Sequence, residues 1–120
     1  MKKLVMAFTA MMAIGAAHAG TVVCSGTVQY LSFHAPDGFM IQLSSMNTPV
    51  FFCSPERTYS TPGTSYTVSA DTCKQLYATF LAARLSGTSV NGMYFDGDDA
   101  PAACNGWGPW KTAIIRHYML

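Results

Sequence analysis

The sequence predicts a mainly β domain of five strands, with one helix between the third and fourth and two disulfides as cross-links. Three observations carry this reading. Short apolar runs separated by turn-forming Gly, Pro, Asn and Asp recur along the chain. One segment alone, ending at Ser86-Gly87, has helical spacing. Four cysteines form an even set behind an apparent export signal.

That signal opens the chain. Lys2 and Lys3 precede the apolar run Leu4–Ile14, and small residues follow up to Ala17-His18-Ala19. A basic start, a short apolar segment and alanines at the −3 and −1 positions describe a secretory signal peptide cut after Ala19. Removing 19 of the 120 residues leaves 101, Gly20–Leu120, enough for one domain with a modest core that benefits from cross-links. No later apolar stretch approaches the roughly 20 residues of a membrane helix, so no membrane insertion is expected. Five basic residues then face six acidic ones. A nucleic-acid partner is not expected, because phosphate neutralisation requires a basic face.

From Thr21 to Phe33, Val22, Cys24, Val28 and Tyr30 share one parity, and Leu31 and Phe33 then carry the apolar signal on the other. Such a strand must bulge or coil, and Gly26 supplies the bend. His34-Ala35-Pro36-Asp37-Gly38 closes a hairpin, with Pro and Gly where a turn uses them. Phe39, Ile41 and Leu43 form the return strand, and Val50-Phe51-Phe52-Cys53 the third, ending at Pro55. Residues 54–65 read as a surface loop, with a short strand at Tyr66-Thr67-Val68.

Ser69 and Asp71 are natural N-caps for the helix that follows. Its apolar stripe is Leu76, Tyr77, Phe80, Leu81, Ala83 and Leu85. Val90–Phe95 is a fourth strand, Asp96–Pro109 an irregular loop, and Trp110–Tyr118 a fifth, alternating strand.

Three strands, a helix and two strands, with a first strand that bends, is the order of the five-stranded, partly open barrel called the OB-fold. A small α+β sandwich uses the same elements. Four cysteines allow three pairings. In a barrel the end of strand four lies near the start of strand one, which pairs Cys24 with Cys104 and leaves Cys53 to Cys73. A zinc site is the rival use of these cysteines, but no Cys-x-x-Cys or His-x-x-x-His spacing supports it.

The helix Cys73-Lys74-Gln75-Leu76-Tyr77-Ala78-Thr79-Phe80-Leu81-Ala82-Ala83-Arg84, the segment Met93-Tyr94-Phe95-Asp96-Gly97-Asp98 and the block Cys104-Asn105-Gly106-Trp107-Gly108-Pro109-Trp110-Lys111 carry a resemblance. Over nearly the whole mature chain the sequence resembles small uncharacterised secreted proteins of Gram-negative bacteria, a family that lends no activity. More distantly, the helix, the strand after it and the final strand with Ile114-Ile115 look like the B subunits of pentameric toxins of the cholera or subtilase-cytotoxin type. That likeness implies an OB-fold glycan binder that assembles as a ring. The cysteine spacing differs from theirs, and no sugar-contacting position carries over. The expected location is the periplasm or outside the cell.

Gly106-Trp107-Gly108-Pro109-Trp110 sets two indoles in a loop, and an indole offers a sugar ring or a partner's hot spot a flat apolar face with one N–H donor. The competing role for either Trp is to close an open end of the barrel. With Trp107 and Trp110, Lys111, Arg116 and Tyr118 form the expected ligand-binding face. Asp96-Gly97-Asp98-Asp99 holds enough oxygen for Ca²⁺ but lacks a full calcium-loop spacing, and reads as a solvated turn; no metal or cofactor is expected.

A hydrolase would draw on His34, His117, Glu56, Arg57 and Arg116. Arg116 and His117, adjacent in a strand, are expected on opposite faces. No Gly-x-Ser-x-Gly elbow or phosphate loop is present. The expected function is therefore a non-enzymatic binding module for a glycan or protein partner, with a homo-oligomer as one of its forms. A small secreted ribonuclease-like hydrolase and a periplasmic structural or inhibitory protein are the alternatives.

Overall fold

The first strand, β1 (Thr21–His34), organises the sheet because it bends. Val22, Cys24 and Val28 are buried between exposed neighbours. At Gly26, with φ of 130°, the pairing slips, and a side chain there would run into Ser44. The first half of β1 pairs antiparallel with β4 (Ser89–Asp96) and the second half with β2 (Gly38–Leu43). A second slip falls between Val28 and Tyr30. The parity change seen in the sequence is thus accommodated by bulges that coil the strand.

A computed structural model describes residues 20–120, so the expected export signal lies outside the described residues. It has five antiparallel strands in one open sheet, ordered β3-β2-β1-β4-β5, where β3 is Val50–Cys53 and β5 is Ile114–His117. The two edge strands do not pair along their length. β3 instead meets the chain just before β5 at one parallel bridge between Phe51 and Thr112, where Phe51 N–H donates to the Lys111 carbonyl at 3.0 Å and Ala113 N–H to the Phe51 carbonyl at 3.0 Å.

The helix, α1 (Ala70–Ser86), starts where Ser69 Oγ accepts the Thr72 N–H at 3.1 Å and stops at Gly87, left-handed with φ of 69°. It buries Cys73, Phe80 and Ala83 against the sheet, with Leu76 and Tyr77 half-buried. The expected apolar stripe needs correction at two positions. Leu81 and Leu85 lie outside the covered arc, and Leu85 is 76% exposed. Phe52 and Phe80 meet edge to face at 5.8 Å at the centre of a core that includes Ile41, Leu43, Val90 and Phe95.

The disulfides are Cys24–Cys104 and Cys53–Cys73, the pairing expected from the sequence, leaving no free cysteine. The zinc alternative is thereby removed. Among the described residues, no helix is long and apolar enough to cross a membrane. The fifth strand is shorter than expected. Trp110 has φ of 57° and Thr112 gives its N–H to the Asp99 carboxylate at 3.1 Å, so regular pairing with β4 begins only at Ile114.

Candidate functional site

The β1–β2 hairpin, residues 34–38, forms one wall of a cleft of about 220 Å³. Phe51 of β3 is its floor, and the chain leaving β3 through Ser54, Arg57 and Tyr59 is the opposite wall. Gly38 is required here: a Cβ at that position would meet the Phe51 ring at 2.6 Å, so only glycine lets the ring lie against the hairpin. Across the cleft, Arg57 Nε donates to Asp37 Oδ2 at 2.6 Å, and Ser54 Oγ donates to the same oxygen at 3.3 Å. His34 Nδ1 donates to the Ala35 carbonyl at 2.7 Å, which sets its tautomer because a carbonyl can only accept. Tyr59 is buried beneath, its hydroxyl donating to the Phe51 carbonyl at 3.3 Å, and burial pushes its pKa up to about 12.

Trp110 stands at the rim. Its ring is 4.8 Å from that of His34, edge to face, and 6.4 Å from that of Phe51. It is 63% exposed and its left-handed backbone is uncommon for a bulky residue. The Phe51–Thr112 bridge, which begins one residue later, holds that conformation. On its other side Trp110 lines a second depression of about 160 Å³ with Met40, Thr48, Pro49 and Pro109.

The remaining expected ligand-binding residues do not join it in one face. Trp107 is 3% exposed, with its ring edge to face with Phe95 at 5.6 Å, so it has no face to offer a ligand; the role of closing the core is the one it performs. Lys111 turns to Asp99, with Nζ 3.8 Å from Oδ1. Arg116 donates from Nε to Asp96 Oδ2 at 2.7 Å and lies 4.9 Å from the centre of the Tyr94 ring. Tyr118 packs edge to face on Phe80 at 4.9 Å, under the helix. The expected face assumed one regular strand from 110 to 118, and the break before Ile114 disperses it.

Register with β4 slips between Tyr94 and Phe95, and Arg116 and His117 both reach the Tyr94 ring. Glu56 sits in the 54–59 segment with its N–H bonded to Ser54 Oγ, so the groups a hydrolase would need are divided between that segment and β5. The acidic run is divided as well. Asp96 accepts from Thr21, Tyr66 and Arg116, Asp99 from Thr112, and Asp98 is exposed; among the described residues no cluster of metal-ligating side chains forms.

The cleft residues His34, Asp37, Phe51 and Ser54 were not singled out from sequence as a binding site. The available signal was the hairpin Pro36-Asp37-Gly38 facing the loop that carries Trp110, which only the fold brings together.

No family model, curated protein or solved structure matches this chain.

Proposed function

We propose that this chain is an exported, non-enzymatic binding module that receives a glycan at the hairpin cleft beside Trp110. The observation that carries the reading is an indole 63% exposed, fixed in a left-handed backbone and set against a mainly apolar cleft with Asp37, Arg57 and Ser54 in its walls. A large aromatic that folding leaves in water, on a backbone held in an uncommon conformation, suits a stacking surface. Asp37, Arg57 and Ser54 supply donors and acceptors for hydroxyls around the ring that stacks.

The finer fold reading is an OB-like barrel. The strand order, the coiled β1 that serves both neighbours, the helix between β3 and β4 and the parallel bridge from β3 to the chain just before β5 support it. In that fold ligands bind where the loop after strand one meets the loop before strand five, and here those loops carry His34–Asp37 and Trp110. A periplasmic or secreted location accords with the disulfides.

The test is a glycan array read with the purified protein and with Trp110→Ala. Loss of binding in a variant with an unchanged circular dichroism spectrum supports the reading; binding that survives the substitution overturns it. A second reading, a protein partner or another copy of the chain, is favoured by one separate observation, the exposed Leu81 and Leu85 on α1. Light scattering with and without reductant distinguishes these. A mass near five times the monomer supports a ring, and a monomer removes it.

A further inference from the structure

β1 changes partners part-way along its length, and the change leaves one of its edges open. Its pairing with β4 ends where Thr27 lies opposite Ser89, and from Tyr30 to His34 it pairs only with β2. Among the described residues no strand covers the other edge of those five residues. Arg84 Nε donates to the Gln29 carbonyl at 3.4 Å, so the stretch free to pair begins at Tyr30. A strand directs the N–H and C=O of alternate residues to either side, and this edge therefore presents backbone groups without a partner strand. Lys, Pro and inward-pointing charges, the usual guards of such an edge, are absent from Tyr30–His34, while Tyr30 and Phe33 are 56% and 55% exposed. Phe33 lies edge to face with Phe39 at 6.1 Å, Phe39 stacks on Tyr77 at 4.2 Å, and the exposed Leu81 follows one turn along α1. Apolar surface thus flanks the open edge.

We propose that this edge pairs with the same edge of a second copy, antiparallel about a two-fold axis at Ser32, to form a dimer. The inference rests on the second reading above, association with another copy, and does not depend on what the cleft binds. A two-fold at Ser32 uses the whole open stretch: Ser32 meets Ser32, Leu31 meets Phe33, and Tyr30 meets His34 of the other copy. The segment Val28–His34 contains no Asp, Glu, Lys or Arg, so self-pairing sets no like charges against each other, and the segment offers no charge that would select a foreign strand. The exposed parts of Tyr30, Phe33 and Leu81 come to roughly 300 Å², over a third of the roughly 800 Å² that each partner of a standard interface buries, before the backbone edge is counted. His34 packs on Trp110, with ring centres 4.8 Å apart, and side chains directly opposite across a strand pair share a face. The pairing therefore brings Tyr30 of the second copy to the margin of the hairpin cleft, where it adds an aromatic ring to the candidate site.

Light scattering on the purified protein, from micromolar to submillimolar concentration, should give a mass that rises toward twice the monomer. Ser32→Lys sets two ammonium groups against each other at the axis and should weaken association at least about tenfold, with an unchanged circular dichroism spectrum. Ser32→Cys tests the register. Directly opposed residues of antiparallel strands have Cα atoms about 4.5–5.5 Å apart, within disulfide range. On oxidation Ser32→Cys should run as a dimer on a non-reducing gel, and Ser45→Cys, exposed in the turn after β2, should not. If the lysine variant misfolds, the two cysteine variants decide. A mass near five times the monomer, or a dimer indifferent to Ser32→Lys and not cross-linked through Ser32→Cys, overturns the edge pairing and leaves association of copies standing. A monomer at every concentration, with no cross-link, overturns both. A monomer that binds an added extended peptide, in a way Ser32→Lys abolishes, would assign the edge to a foreign strand and overturn the proposal.

Discussion

Asn47 holds the backbone of Trp107 at both of its polar groups, donating from Nδ2 to the carbonyl at 2.8 Å and accepting the N–H on Oδ1 at 3.0 Å. The two residues are 60 apart in sequence. Trp107 lies in a stretch without strand pairing, so this paired contact fixes where its indole enters the core beside Phe95.

Removing that grip should therefore be costly for a half-exposed polar residue. Asn47→Ala is expected to destabilise the fold by about 1–3 kcal/mol, because it leaves both Trp107 groups without their partner. Trp107→Ala should cost about 3–5 kcal/mol as a core truncation, and Trp110→Ala about 0.5 kcal/mol or less. Urea unfolding of the three variants checks the order.

Asp96 joins four parts of the chain, accepting from Thr21 at 2.7 Å, Arg116 at 2.7 Å and the Tyr66 hydroxyl while remaining 8% exposed. Burial pushes its carboxyl up, but the three hydrogen bonds outweigh burial and hold it below the usual range. A folded pKa below the unfolded one gives stability that is present above about pH 4 and lost as pH falls through the folded value. Denaturation from pH 7 to pH 2 should show this acid slope, and Asp96→Asn should flatten it. At the alkaline end, burial and Asp96 push Tyr66 up to about 12, and burial does the same to Tyr59. Raised phenol pKa values give stability that is complete below about pH 10 and declines as pH rises toward 12.

The two disulfides should contribute unequally. Cys24–Cys104 spans 80 residues and Cys53–Cys73 spans 20. Loop-closure entropy ranks the first as the larger by roughly 1 kcal/mol, on contributions of about 2–5 kcal/mol each. Paired Ser variants at each bridge, compared by denaturation, should show this order.

On the helix, Phe80→Ala should cost about 3–5 kcal/mol, since its ring is fully buried against Phe52 and Tyr118. Leu85→Ala should change stability by about 0.5 kcal/mol or less. The two leucines Leu81 and Leu85 illustrate a limit of periodicity, because three- and four-residue spacing identifies a helix but leaves its rotation about its axis open by a residue either way. That rotation is decided by the Cys53–Cys73 bridge and by Phe80 fitting against Phe52.

Local sequence carried most of the fold. The parity flip of β1 appears as the bulge between Val28 and Tyr30, and the bend expected at Gly26 as a second slip; Pro36 and Gly38 bracket the hairpin; Ser69 and Gly87 bound α1 within a residue of expectation. The candidate site was less legible. Trp110 was recognised, but its partners His34 and Phe51 lie 76 and 59 positions earlier, and no local pattern encodes a contact across that distance. Its backbone turn depends on the bridge between β3 and Thr112, a consequence of how the sheet edges approach.

By itself, then, the sequence determined the first four strands, where the helix begins and ends, and that the four cysteines belong in bridges, because these follow from side-chain alternation, capping and turn chemistry within a few residues; it placed the start of the fifth strand too early. The tertiary structure alone decided that Trp107 goes inside and Trp110 outside. Both are tryptophans flanked by glycine or proline in one loop, and their separate fates depend on Asn47 gripping one backbone and Phe51 anchoring the residues that follow the other. Burial is a property of the assembled neighbours, which the loop's own composition does not contain.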